Sequence, residues 1–244
     1  MMWIPVVGVV AAAAWYVRLW LRRREEKRLW QFGAGLGVVL AASASPLAML
    51  DRELLSAHMV QHLLLMLVAA PLLLLGLKGV VTPGPETRKF VELVTHPAFC
   101  WLAGTATVIA WHVPELFALP FGSEWWHLAE HASFFVGGLL FWWPVTEPFG
   151  EDGRGQRWYI PVYLFLATLP CDALSAYLAF CGHVVYPQYV SVQHLFGLSA
   201  LQDQEGAGAL MWTCVTFGYM VPAAFVTIGM IRGGGVERRR SVRN

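Results

Sequence analysis

Five histidines in three apolar stretches are the residues of this sequence best placed to do chemistry. His58 and His62 stand in H-M-V-Q-H, His127 and His131 in H-L-A-E-H, and His112 in W-H-V-P. Residues four apart on a helix share one face, with Cβ atoms about 5–6 Å apart, so each pair offers two imidazoles to the same neighbour. Neutral imidazole is a ligand for copper, zinc and iron, and a set of five points to a metal or haem site. The plainer reading is interhelical hydrogen bonding with no ligand, and two such pairs plus a fifth ring at one depth weigh against it.

Around them lie possible accessory ligands. Met66 continues the face of His58 and His62, Met59 adjoins it, and a thioether favours Cu(I); core filling is the alternative for both. Asp172 is a carboxylate inside an apolar span, a functional candidate by default or else a partner for a nearby hydroxyl or histidine. Cys171, Met211 and Cys214 fall in the same half of their spans. Glu115 and Glu130 read as nearer the interface, solvated or supporting the ligands from behind. The four cysteines have no C-x-x-C spacing and are expected to be small buried hydrophobes.

The elements that position these groups are transmembrane helices. Apolar residues make up 57% of the chain and charged ones 14%, about half the charged share of a soluble domain, so the fold must bury its surface in lipid. Crossing the hydrocarbon core takes about 20 apolar residues. Seven such stretches are expected in one all-α membrane domain, near residues 3–21, 29–48, 54–77, 96–119, 125–147, 158–181 and 207–231. The first is read as retained, since no basic region precedes it and a basic run follows it. Cytoplasmic loops carry the excess of Lys and Arg. Fifteen of the 17 basic residues cluster after the first, third, fifth and seventh stretches, Arg52 alone falls on the other side, and Arg18 lies within the first stretch. This places the N-terminus outside and the C-terminus in the cytoplasm, with a basic tail over 232–244 on anionic lipid.

Topology then sorts the histidines. At about 1.5 Å rise per residue, His58, His62, His112, His127 and His131 all fall within roughly 3–12 Å of the outer ends of their spans. His96 falls at an inner end, and His183 and His194 fall in the one long outer connection, 182–206, which is expected to fold over the outer face. Tryptophans 111, 125, 126, 142, 143 and 158 sit near span ends, where amphipathic rings settle at the headgroup level. Acidic and basic residues nearly cancel, so net charge says little about partners; no nucleic-acid partner is expected.

Several blocks together resemble the CtaG family of cytochrome c oxidase assembly proteins. They are D-R-E-L-L-S-A-H-M-V-Q-H-L-L-L-M-L-V-A-A-P-L-L-L-L-G from Asp51, W-H-V-P from Trp111, and H-L-A-E-H with G-L-L-F-W-W-P from His127 to Pro144. Y-P-Q-Y from Tyr186 and D-Q-E-G-A-G-A-L-M-W from Asp203 follow in order. The chain departs from the family pattern at Ala70-Pro71, where paired prolines are common, and at Glu205. The resemblance implies a multi-pass factor of a bacterial plasma membrane that matures a haem-copper oxidase, partners its subunits, and supplies copper on the outer side. It adds Asp203 to the possible accessory residues.

Three functions stay open at this level. The first is a nonenzymatic factor holding copper through His58, His62, His112, His127 and His131. The second is an intramembrane zinc hydrolase, since H-L-A-E-H also fits the H-x-x-E-H pattern with Glu130 as base. The third is a haem-binding redox protein, for which no C-x-x-C-H attachment motif is present.

Overall fold

A computed structural model describes residues 3–22, 25–81, 84–149, 158–191 and 195–241, with side chains to residue 232. Arg23, Arg24, Arg154, Arg157, His194 and Arg243 of the sequence reading lie outside the described residues. All regular elements among the described residues are helical. Helices α1 (Trp3–Trp20) and α2 (Glu26–Ala44) lead to a single turn, α3 (Leu47–Leu50). One long helix follows in three parts: α4 (Leu55–Leu63), a π-helical segment (Leu64–Ala69) and α5 (Ala70–Leu77). Next come α6 (Pro85–Val94), α7 (Pro97–Trp111), the short turns α8 (Pro114–Phe117) and α9 (Leu119–Gly122), then α10 (Glu124–Thr146), α11 (Tyr159–Phe180) and α12 (Ala200–Ser241). Five of these helices are long and apolar enough to cross a membrane, and a sixth candidate is the α6–α7 pair, bent by 55°.

The stretch expected as one helix over 96–119 is broken. Helix α7 stops at Trp111, and Pro114, which disfavours helical backbone at Val113, restarts the chain as α8. The last helix begins at Ala200, seven residues before the expected start, so the long connection is correspondingly shorter.

Five helices close a ring: 55–77 packs on α12, α12 on α11, α11 on α7, α7 on α10, and α10 back on 55–77. Helix α2 leans on α5 from outside and α1 on α2. Here Tyr16 stacks on Phe32 with centroids 3.8 Å apart and donates its hydroxyl to Gly76 O at 2.9 Å. Large side chains such as Phe180, Phe217 and Phe225 point outward, as expected where the surrounding medium is hydrocarbon.

The π segment has a local cause. Pro71 has no N–H to give, and the ladder slips to i→i−5, with Ala70 N–H donating to Leu65 O. Continuing that register would require residue 71 to serve Met66 O. Trp142 does so instead, its indole N–H reaching Met66 O at 2.9 Å. Trp142 is therefore a buried core donor and not a headgroup-level ring. Helix α10 approaches this closely because residue 138 is glycine: a Cβ there would lie 2.9 Å from Met66 Cα.

Candidate metal centre

Four of the five histidines converge at one end of the ring. The i,i+4 spacing brings His58 and His62 to a centroid separation of 4.4 Å and His127 and His131 to 4.3 Å, and His62 stands 5.1 Å from His131 across the α4–α10 interface. His112, at the end of α7, is buried and borders the same space as His58 and His62.

Two carboxylates complete the cluster. Glu130 is 1% exposed, and its Oε1 is hydrogen-bonded to His58 Nε2 at 3.3 Å and lies 3.8 Å from His62 Nε2. Asp51, 3% exposed, places Oδ2 at 2.8 Å from His127 Nε2, out of line for a hydrogen bond. Burial pushes the Asp51 carboxyl up, but His127 and the further imidazoles His58 and His131 outweigh it and hold the group below its usual range. The potential ligand atoms fall into two groups, Asp51 with His127 and His131, and His58 with His62 and Glu130. Within each group they lie within 4.8 Å of one another. The edge of a tetrahedron around an ion with bonds of about 2 Å is roughly 3.3 Å, so both groups are of a size that small side-chain rotations would close on a metal.

Hydrogen-bond accounting favours such a ligand. His112 Nδ1 faces Val108 O at 2.7 Å and His131 Nδ1 faces His127 O at 3.0 Å. Only a protonated Nδ1 can donate to these carbonyls, which leaves Nε2 of each neutral ring as a bare lone pair. Nε2 of both is buried with no hydrogen-bond partner, as are both nitrogens of His62 and Glu130 Oε2. A buried polar atom left unpaired costs about 1–3 kcal/mol, and several such atoms facing one another fit a cation.

Asp203 and Gln204, in the frame around the cluster, are by contrast fully bonded. Asp203 accepts from the N–H groups of Leu55 and Ser56 at 2.6 and 3.2 Å, capping the helix that carries His58 and His62. Gln204 accepts from Val185 N–H at 2.7 Å and donates to His183 O at 3.0 Å. The connection between α11 and α12 lies across the helix ends, where Tyr186 donates to His112 O at 3.0 Å and Tyr189 to Asp51 O at 2.7 Å. Burial pushes both phenols up, so they remain neutral donors. Phe117 stacks on Tyr186 and meets His58 edge-on at 5.2 Å, shielding the cluster from above.

The accessory residues divide. Met59 and Met66 line a cavity of about 30 Å³ beside His62 and His112, with Cys171 and Met211 on its far wall. Asp172 is not brought to the cluster; it accepts from Thr216 Oγ1 at 3.3 Å. Asp203 serves as the helix cap, and Cys214 is exposed. Glu130, expected near the interface, is instead central, and the structure adds Asp51 to the cluster. The signal for Glu130 was a carboxylate inside a span, the same argument applied to Asp172. For Asp51 it was a spacing of seven residues before His58. Glu130 faces His58 and His62, whereas a hydrolase of the H-x-x-E-H type would require it to act beside His127 and His131.

The description "Cytochrome c oxidase caa3 assembly factor (Caa3_CtaG)" matches residues 12–233. No curated protein and no solved structure matches the chain.

Proposed function

The chain belongs to the family of cytochrome c oxidase caa3 assembly factors, and from that premise we propose that it holds copper at the histidine end of its bundle and passes it to the apo-oxidase. The observation that carries this reading is the set of buried, unpaired imidazole nitrogens gathered with Asp51 and Glu130. Copper is cargo here. His58, His62, His127 and His131 are the residues that would hold it, and His112 borders them. Phe117 and Tyr186 would keep water off it, and the bonded frame of Asp203 and Gln204 would keep the ligands in register. The same residues take zinc, so the metal's identity rests on the family.

Seven spans complete the proposal: α1, α2, 55–77, α7, α10, α11 and α12. Helix α10 is 23 residues long, about 34 Å at 1.5 Å per residue. It reads as less apolar because His127, Glu130 and His131 turn into the cluster. Along 55–77, His58 and Lys78 stand at opposite ends, and with basic residues on the cytoplasmic side the cluster faces outward.

Detergent-purified protein is expected to bind copper, and a His58→Ala, His62→Ala variant to bind less and to leave the oxidase immature in cells. Metal analysis and copper titration that find no binding by the wild-type chain would overturn the proposal. Cysteine labelling from each side tests the orientation.

A further inference from the structure

The cluster is not one pocket with five interchangeable rings, and its division into two groups has a functional meaning. We infer that it holds two ions at successive positions, an outer one at Asp51, His127 and His131 and an inner one at His58, His62 and Glu130. This rests on the copper reading above and deepens it.

Composition is the first argument. Each position has two imidazoles and one carboxylate whose ligand atoms lie within 4.8 Å of one another, and no residue belongs to both. His131 cannot serve the two at once, because its Nδ1 is committed to His127 O at 3.0 Å and only Nε2 is left to bind. Glu130 likewise directs Oε1 to His58 and His62, at 3.3 and 3.8 Å.

Access is the second. The His127 side chain is 23% exposed, whereas those of His58, His62 and Glu130 are 4%, 6% and 1% exposed. The outer position therefore lies nearer the surface, and His131 stands between it and His62. The step is short, since His62 and His131 stand 5.1 Å apart and His62 has both nitrogens without a partner. An imidazole can release an ion to its neighbour without leaving it bare, which is what a carrier needs if binding is to be both firm and reversible.

Charge is the third. One carboxylate balances one monovalent cation, so two Cu(I) ions leave the cluster neutral. Two divalent ions would leave two uncompensated charges in a region of low dielectric, which is costly. The ion suited to both positions together is therefore monovalent.

Anaerobic titration of the full-length protein in detergent with Cu(I), against a competing chromophoric chelator, tests the division. The wild type is expected to take two equivalents. An Asp51→Asn, His127→Ala variant and a His58→Ala, His62→Ala variant are each expected to take one. If alanine variants fail to accumulate, His127→Gln and His62→Gln keep a polar group in the same space and should show the same halving. One equivalent in the wild type, lost entirely in either variant, would overturn the two-position arrangement while leaving the copper-carrier reading intact. No binding in the wild type would overturn both.

Discussion

Two buried polar regions lie a helix turn apart in this protein and are treated in opposite ways. Around Asp203 and Gln204 the charged and amide groups meet donors or acceptors of good geometry: the Leu55 and Ser56 amides on one side, Val185 and His183 on the other. Around His62 and Glu130 the same chain leaves both imidazole nitrogens and a carboxylate oxygen without a partner. The two regions share α4, which Asp203 caps at its start and which carries His58 and His62 further along. Polar side chains are costly in a membrane wherever they are unpaired. The contrast separates groups satisfied within the fold from groups left open to a ligand, and burial alone does not distinguish them.

The largest effect should come from the bonded side. Asp203→Ala strips two amides of their acceptor and uncaps α4, and is expected to lower stability by about 2–4 kcal/mol, read as thermal unfolding in detergent. Copper binding should fall with it, because the histidine pair loses its anchor. If Asp203→Ala unfolds like the wild type, the cap is not what holds α4.

Trp142→Phe comes next. It leaves Met66 O unpaired inside the π segment and should cost about 1–2 kcal/mol. Adding Pro71→Ala returns an N–H at the position whose absence created the vacancy, so the double variant should recover much of the loss. A double-mutant cycle without coupling would refute the link between Pro71, the π segment and Trp142.

A smaller effect belongs to Asp51, whose carboxyl is held below its usual range. A depressed folded-state pKa means that the unfolded chain binds the proton more readily. The stabilisation is thus fully present above the ordinary carboxylate pKa of about 3.9 and is lost as pH falls through the lower folded value. Asp51→Asn should flatten this acid limb in an unfolding series from pH 6 downward, and an unchanged limb would show that the His127 contact contributes nothing.

The smallest expected change in stability is at His62. His62→Leu replaces an unpaired buried group with an apolar one beside Phe134, whose ring centroid lies 3.9 Å from that of His62, so the metal-free protein should be as stable as the wild type or slightly more so. Copper affinity should drop by about tenfold or more. A clear destabilisation without metal would mean that His62 is a structural residue after all.

Much of the site was readable without coordinates. Helical periodicity is local physics, so the pairing of His58 with His62 and of His127 with His131 followed from spacing, and the observed separations of 4.4 and 4.3 Å agree with it. The shared depth of His112 followed in the same way, and the blocks of residues carried the family. The carboxylates did not follow so easily. Asp51, Asp172, Asp203 and Glu130 are each an acid near or within an apolar stretch, and spacing ranks none above another.

What this sequence determined by itself was an all-helical membrane chain and which imidazoles share a face, because both depend on composition and on the 3.6-residue repeat. What only tertiary structure decided was which acid faces the imidazoles and which caps a helix. Those roles depend on how α4, α10 and α12 are rotated against one another, and that rotation is set by contacts between residues such as Gly138 and Met66, more than 70 positions apart.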